Sequence, residues 1–172
     1  PDASIALEDA FGDGPGILLV SGTGSSWVGR SPTGVFGRCG GWGPSIGDEG
    51  SGAWIGKRAL SIVTAAADGR EPETALLGAV LTALELENSE GLIGWASTAT
   101  PATLARLAST VITVAALGDQ RANSLLTMAA EELVTHVRAL ARQLFLEERA
   151  TIPVALAGGL MERGSFLRKL VE

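Results

Sequence analysis

The pattern of apolar residues changes at Asp48, and this change constrains the fold more than any other feature of the sequence. Before it, residues 16–20 form an apolar run without alternation, which is typical of a strand buried on both faces. Two shorter antiparallel strands are predicted at residues 25–30 and 35–38. After it, apolar residues recur at helical spacing. The sequence therefore predicts an α/β domain whose mixed sheet starts with antiparallel strands and is packed by helices.

Helices are predicted where apolar residues repeat every three or four positions. The longest begins after the N-cap Asp119 and ends near Leu144. A last strand at residues 152–157 leads through Gly158 and Gly159 into a predicted helix at 162–172. Other helices are expected at residues 1–11, between 48 and 68, at 73–86 and at 101–117. Because the chain begins without Met and stops inside a predicted helix, we expect residues 1–172 to be one domain cut from a longer protein.

Composition and charge exclude several classes of protein. The formal net charge of −6 argues against nucleic acid or an anionic membrane as a partner, since both require a basic surface. No apolar run approaches the roughly 20 residues that span a bilayer. A single cysteine, Cys39, excludes an internal disulfide framework and cannot by itself hold an iron–sulfur cluster. The single cysteine, together with the absence of a signal peptide, leads us to expect a cytoplasmic protein.

Residues 21–25, Ser-Gly-Thr-Gly-Ser, follow the first buried strand and are called here the first glycine turn. Glycines let backbone N–H groups approach an anion, and the hydroxyls of Thr23 and Ser25 add donors. The alternative is a plain hairpin turn. Trp27 occupies the last place of a G-x-G-x-x-G pattern and no Walker A lysine follows, so Rossmann and P-loop readings are excluded.

Residues 40–52, the glycine-rich loop, combine an indole, Trp42, with two carboxylates, Asp48 and Glu49. Carboxylates accept hydrogen bonds from neighbouring sugar hydroxyls, and such a loop suits a polar ligand. The alternative is that both carboxylates only complement the dipole of the helix that follows. We favour the ligand for Asp48 and the helix dipole for Glu49.

Two further features have plain explanations. Residues 43–47 match the G-x-S-x-G pattern of a hydrolase nucleophile, but no apolar strand precedes them. The single histidine, His136, lies in the middle of the long helix, where packing explains it better than catalysis. Residues 157–160, the second glycine turn, would by themselves be only a tight strand-to-helix turn, although this geometry also admits nucleotides.

In combination these features resemble the BadF/BadG/BcrA/BcrD ATPases, within the superfamily of actin, hexokinase and Hsp70. The order of the motifs carries the resemblance, which extends over nearly the whole chain. The matching segments are Gly-Thr-Gly-Ser at 22–25, Gly-Gly-Trp-Gly at 40–43, Gly-Asp-Glu-Gly-Ser at 47–51, Trp-Ile-Gly at 54–56, Ala-Leu-Gly-Asp at 116–119 and Ala-Gly-Gly at 157–159. The resemblance implies an RNase H-like, actin/hexokinase-type C-terminal lobe without its N-terminal lobe and final helix.

The resemblance also assigns roles to individual residues. Asp2 corresponds to the general base that takes the proton of the sugar hydroxyl, and Ser26 stands where the sugar kinases have asparagine. The residues that match nucleotide contacts are Gly22, Thr23, Gly24, Leu104, Gly158, Gly159 and Glu162. The residues that match sugar contacts are Asp2, Ser25, Ser26, Gly41, Trp42, Gly43, Pro44 and Asp48. No metal ligand is assigned within the chain.

The function implied by the resemblance is phosphorylation of an amino sugar by ATP and Mg²⁺, with N-acetylglucosamine as the acceptor. Glucosamine is an alternative that the sequence does not separate. An ATPase activator of 2-hydroxyacyl-CoA dehydratases would need more cysteines than Cys39, and a sugar sensor without turnover leaves Asp2 unexplained. The expected partners are small-molecule sugar and nucleotide, with no nucleic acid or membrane, and a homodimer stays open.

Overall fold

The computed structural model describes residues 3–146 and 151–172 of the chain. In this part the chain forms a four-stranded sheet of β1 Gly16–Ser21, β2 Ser25–Arg30, β3 Phe36–Cys39 and β4 Val154–Ala157. The order of the strands in the sheet is β3-β2-β1-β4. Strands β1 and β2, and β2 and β3, pair antiparallel, whereas β1 and β4 pair parallel. The predicted α/β class with a mixed sheet is confirmed.

Strand β1 lies between two apolar layers, which explains its apolar run without alternation. Ile17 and Leu19 face the main core, and Leu18 packs with Leu7 and Val28 in a smaller cluster on the other face. Leu7 belongs to α1, Ala3–Phe11, which covers that second face. The main core is formed with the longer helices, so the sheet is covered on both sides.

The remaining helices lie on the side of the main core. They are α2 Gly52–Ala67, α3 Ala75–Ala83, α4 Gly91–Thr98, α5 Pro101–Ala116, α6 Gln120–Leu144 and α7 Phe166–Val171, with a 3₁₀ turn at Gly159–Met161. Among the helices of the described residues, none is both long and apolar enough to cross a bilayer.

The helices differ from the predicted ones in two places. The sequence pattern does not predict α4, because this helix is only eight residues long, buries only Leu92 and has no side-chain N-cap bond. The last helix begins at Phe166 rather than at residue 162. The chain first forms a 3₁₀ turn, and the Ser165 hydroxyl then accepts from Arg168 N and caps α7. Glu162 consequently lies before the helix.

Helices α2 and α5 are in backbone contact. A Cβ atom on Gly56 would overlap the carbonyl of Leu104, and one on Gly52 would lie 3.0 Å from Ala105 Cβ. Only glycine allows the two helices to approach this closely. This contact fixes the first turn of α2, which follows the glycine-rich loop and is bonded to the first glycine turn, relative to Leu104.

The carboxylate of Asp119 caps two helices. It accepts from Ala122 N of α6, and from Ala75 N and the Thr74 hydroxyl at the start of α3, each at 2.9 Å. Partial burial raises the pKa of Asp119, but these hydrogen bonds outweigh it and hold the pKa below its ordinary value. The contribution of this carboxylate to stability therefore requires its charged form.

We expect Asp119→Ala to lower the free energy of unfolding by about 1–2 kcal/mol, the usual loss for an N-cap. Because the folded-state pKa is lowered, the contribution is complete above the ordinary aspartate pKa of about 3.9 and disappears as the pH falls through the folded-state value. Urea unfolding of both proteins at neutral and acidic pH measures this. An equal difference in stability at both pH values would contradict the assignment.

Candidate sugar and nucleotide site

The first glycine turn and the end of the glycine-rich loop are joined by hydrogen bonds. Gly52 N donates to Gly22 O at 2.8 Å, and Ala53 N donates to Thr23 O at 3.1 Å. The Ser25 hydroxyl donates to Glu49 O at 2.8 Å, and the Ser21 hydroxyl donates to Gly50 O at 3.0 Å. The two segments therefore form one rigid unit at the start of α2.

The second glycine turn meets the same unit from β4. Gly158 has φ +96°, and a Cβ atom there would overlap the backbone of Ser21. A Cβ atom on Gly22 would lie 3.9 Å from Gly159 N. The structure thus brings the two glycine turns together, and Thr23 of the first turn is exposed. Glycine-rich turns at such a junction can let backbone N–H groups approach the phosphates of a nucleotide.

Asp48 connects the glycine-rich loop to the first glycine turn. Its side chain is buried, its φ is +56°, and its Oδ1 accepts from Gly43 N at 3.0 Å. A Cβ atom on Gly24 would lie 2.7 Å from Asp48 Oδ2, so the carboxylate lies directly against that glycine. Aspartate is one of the few non-glycine residues that tolerate this left-handed backbone. The position holds a carboxylate between the two candidate binding segments.

Neither carboxylate of the loop caps α2. The cap is Ser51, whose hydroxyl accepts from Trp54 N at 3.2 Å. The helix-dipole explanation preferred for Glu49 therefore gains no support from capping geometry, and Glu49 instead faces His136 of α6. The binding role of Asp48 stays a prediction.

The glycine-rich loop presents an aromatic surface to solvent. Trp42 is 65% exposed, and the Arg38 guanidinium lies 5.4 Å from the centre of its ring. Gly47 N donates to Gly43 O at 2.8 Å and closes the turn that carries Pro44. Exposed indole and backbone groups of this kind suit a sugar ring, whose faces are apolar and whose rim is polar.

Some of the predicted site residues are less favourably placed to contact a ligand. The Ser25 side chain is buried, and its hydroxyl already donates to a carbonyl. Ser26 is half-buried beside Gly41, on which a Cβ atom would lie 3.3 Å from Ser26 Cβ. Glu162 is exposed, and its carbonyl accepts from Ser165 N. Asp2 lies outside the described residues, so its predicted role as general base remains a prediction.

Sequence reasoning missed a buried polar cluster beneath the glycine-rich loop. The Trp27 indole is fully buried, donates to Leu133 O at 3.1 Å and stacks on His136 with ring centres 4.1 Å apart. His136 Nε2 lies 3.6 Å from Glu49 Oε2. The packing role predicted for His136 agrees with this stack. The inward position of Trp27 in β2 could have indicated a long-range polar partner, because a buried indole N–H needs an acceptor.

Curated proteins are similar to this chain over nearly its whole length. The chain is 36% identical to the N-acetyl-D-glucosamine kinase of Dictyostelium discoideum over 99% of its own length and 55% of that protein. It is 36% identical to the N-acetylmuramic acid/N-acetylglucosamine kinase of Clostridium acetobutylicum, with 96% of the chain covered, and 29% identical to a glucosamine kinase of Vibrio cholerae, with 95% covered. The chain spans about half the length of these curated relatives, 55% in each case.

Solved structures share the fold. A protein of Chromobacterium violaceum, described as a candidate N-acetylglucosamine kinase, superposes with a TM-score of 0.82 at 38% identity, covering 96% of this chain and 54% of that one. A structure from Porphyromonas gingivalis gives a TM-score of 0.71 at 20% identity over the same shares and supports the fold alone. The family model for the BadF/BadG/BcrA/BcrD ATPases matches residues 2–172. The chain belongs to the BadF/BadG/BcrA/BcrD ATPase family.

Proposed function

We propose that the protein transfers the terminal phosphoryl group of ATP to a hydroxyl of an amino sugar, with N-acetylglucosamine as the acceptor. The observation that carries the proposal is the Asp48 carboxylate, held between Gly43 of the glycine-rich loop and Gly24 of the first glycine turn. This arrangement would place a sugar-binding carboxylate next to a phosphate-binding turn. Phosphoryl transfer depends mainly on such positioning.

The relatives favour this acceptor class. Two of them, each 36% identical to the chain, are named as kinases of N-acetylglucosamine, and one of these also names N-acetylmuramic acid. Because the chain spans about half their length, we propose that it is the C-terminal lobe of such an enzyme. The other lobe would supply the remaining phosphate contacts. The partners of the whole enzyme would be the sugar and the nucleotide.

The proposed chemistry assigns one task to each part of the chain. Asp2, at the chain position before α1, would accept the proton of the attacking hydroxyl, in line with the family resemblance. Asp48 would accept hydrogen bonds from the sugar and orient it. Backbone N–H groups around Thr23 and Gly158 would contact the phosphates of ATP. None of these tasks requires a covalent intermediate on the protein.

Mg²⁺ would accompany the nucleotide rather than occupy a site built by this chain. Within residues 3–146 and 151–172, no three His, Cys, Asp or Glu side chains are grouped as for a metal ion. Mg²⁺ commonly binds through nucleotide phosphates, water and one or two carboxylates. We expect these groups to be the ligands of Mg²⁺ in the full-length protein. When bound, it would neutralise charge on the phosphates.

Glucosamine is the second candidate acceptor. The relative of Vibrio cholerae, 29% identical to the chain, is named as a glucosamine kinase. Ser26 bears on this choice, because the family resemblance places asparagine there in N-acetylglucosamine kinases. A shorter side chain at this half-buried position beside Gly41 would leave the N-acetyl contact to other groups.

A binding panel separates the acceptors before any turnover is measured. We expect N-acetylglucosamine to raise the melting temperature of the full-length protein more than glucosamine, N-acetylmuramic acid or glucose at equal concentration, because bound ligand stabilises the folded state by mass action. Differential scanning fluorimetry with and without ATP measures this. A larger shift with glucosamine would transfer the proposal to that sugar, and no shift with any amino sugar would contradict it.

A further inference from the structure

Both ends of the glycine-rich loop rest on the same pair of stacked rings. At its start, Gly40 has φ +63°, and a Cβ atom there would overlap the Trp27 indole and lie 2.9 Å from His136 Cδ2. At its end, Glu49 Oε2 lies 3.6 Å from His136 Nε2. The Trp27 and His136 rings are nearly parallel, with an angle of 12° between them. The stack therefore supports the loop at two points.

The hydrogen bonds of His136 determine where its protons lie. Its Nδ1 is 2.7 Å from the backbone carbonyl of Glu132, and a carbonyl can only accept. Nδ1 therefore carries a proton. In a neutral imidazole the other nitrogen, Nε2, would then present a lone pair to the Glu49 carboxylate. Two acceptors facing each other repel, so the contact is attractive only when a proton lies between them.

A proton between Glu49 Oε2 and His136 Nε2 would give this oxygen a hydrogen-bond partner. Within the described residues, Glu49 Oε2 is one of two buried side-chain oxygen or nitrogen atoms without such a partner. A buried polar atom without a partner is costly, and a charged one more so. His136 Nε2 is the group recorded facing it, with the histidine side chain 16% exposed. The 3.6 Å distance is within ion-pair range if His136 is protonated, and a small closure would make a hydrogen bond.

Glu49 transmits this contact to the candidate binding residues. It directly follows Asp48, whose left-handed backbone and bond to Gly43 orient the candidate sugar carboxylate. Its carbonyl accepts from the hydroxyl of Ser25, a candidate sugar contact. Movement of Glu49 would therefore displace Asp48 and Ser25, whereas Gly22 and Thr23 stay bonded to the start of α2 through Gly52 N and Ala53 N.

We propose that His136 is a positioning residue for sugar binding: its ring, stacked on Trp27, and one proton held between Nε2 and Glu49 Oε2 fix the glycine-rich loop and so the Asp48 carboxylate. His136 contacts neither the sugar nor the nucleotide in this proposal. The sugar-binding part rests on the proposed function, whereas the shared proton does not.

The kinetic test uses His136→Phe, which keeps an aromatic ring against Trp27 but removes the proton, and Glu49→Leu, which removes the carboxylate. In the full-length protein we expect each to raise the KM for the sugar about five- to tenfold, the range of one lost hydrogen bond, with the KM for ATP within about twofold. The double variant should be no worse than the worse single variant, because both remove one contact. Glu49→Gln, whose amide can donate to Nε2, should recover most of the affinity lost in Glu49→Leu.

A matched control separates positioning from general damage to α6. Val137→Ala removes apolar packing next to His136 in the sequence and is expected to lower the melting temperature without raising the KM for the sugar. Additive effects of His136→Phe and Glu49→Leu, or an equal rise in both KM values, would overturn the positioning role. So would a rise in the sugar KM of Val137→Ala comparable to that of His136→Phe.

A spectroscopic test addresses the proton alone and needs no turnover. In the protein labelled with ¹⁵N-histidine, the His136 signals, assigned by their loss in His136→Phe, should show a protonated Nδ1. The Nε2 signal should shift when Glu49→Leu removes the carboxylate. An Nε2 signal that is the same in Glu49→Leu as in the wild type would overturn the inference even if the protein phosphorylates amino sugars. Absence of turnover would instead contradict the proposed function.

Discussion

Asp2→Asn in the full-length protein is expected to lower kcat by about 10²–10⁴, the usual loss when a general base is removed. Asparagine keeps the shape and hydrogen-bonding reach of the side chain but cannot accept the proton of the sugar hydroxyl. Binding of the sugar should therefore persist, with Kd changed less than about threefold. The assignment of Asp2 comes from its place before α1 and from the family resemblance, since it lies outside the described residues.

The competing explanation is that Asp2 only caps α1. Loss of an N-cap would cost about 1 kcal/mol of stability and little activity. Measurement of kcat, sugar Kd and melting temperature on this variant separates the two explanations. Asp9→Asn is the matched control, because Asp9 is an exposed carboxylate of the same helix. A kcat of Asp2→Asn within about threefold of the wild type, with a lowered melting temperature, would make Asp2 structural.

Asp48→Ala should raise the KM for the sugar by about tenfold or more, since a charge-assisted hydrogen bond contributes roughly 1.5–3 kcal/mol. The substitution also removes the bond to Gly43 N and places alanine at φ +56°, which asparagine tolerates better. Asp48→Asn therefore serves as the companion variant. It can keep the bond to Gly43 and the backbone while losing the charge.

Stability measurements distinguish this role from a purely structural one. Asp119→Ala is the control, because it removes a helix-capping carboxylate from the junction of α3 and α6 and should lower the melting temperature without changing the sugar KM. If Asp48→Ala behaves like Asp119→Ala, with lower stability and unchanged KM, then Asp48 only holds the loop. If Asp48→Asn raises KM at wild-type stability, the charge itself binds the sugar.

Local patterns in the sequence were sufficient for most of the sheet and the long helices. The unbroken apolar run of β1 reflects burial on both faces, and Asp119 marks the start of α6 because it caps that helix. Helix α4 carries little such information, since only Leu92 is buried in it. Apolar spacing predicts the last helix four residues too early, because it does not distinguish the 3₁₀ turn at Gly159–Met161 from the helix that follows.

The candidate site was predictable as segments but not as an arrangement. Glycine density indicated both turns and the loop, and the structure joins them through backbone bonds such as Gly52 N to Gly22 O. The support beneath the loop depends on contacts between distant residues. Trp27 Nε1 reaches Leu133 O across 106 positions in the chain, and no local pattern specifies that pairing. The position of His136 against Glu49 follows from the same long-range packing.

The most direct test of the central claim is ATP turnover by the full-length protein with and without amino sugar. ADP release is measured with N-acetylglucosamine, glucosamine, N-acetylmuramic acid, glucose and no sugar, at equal concentrations of ATP and Mg²⁺. We expect ADP release that depends on an amino sugar, is fastest with N-acetylglucosamine, and falls with Asp2→Asn. ADP release at the same rate with and without sugar, or none with any amino sugar, would contradict it.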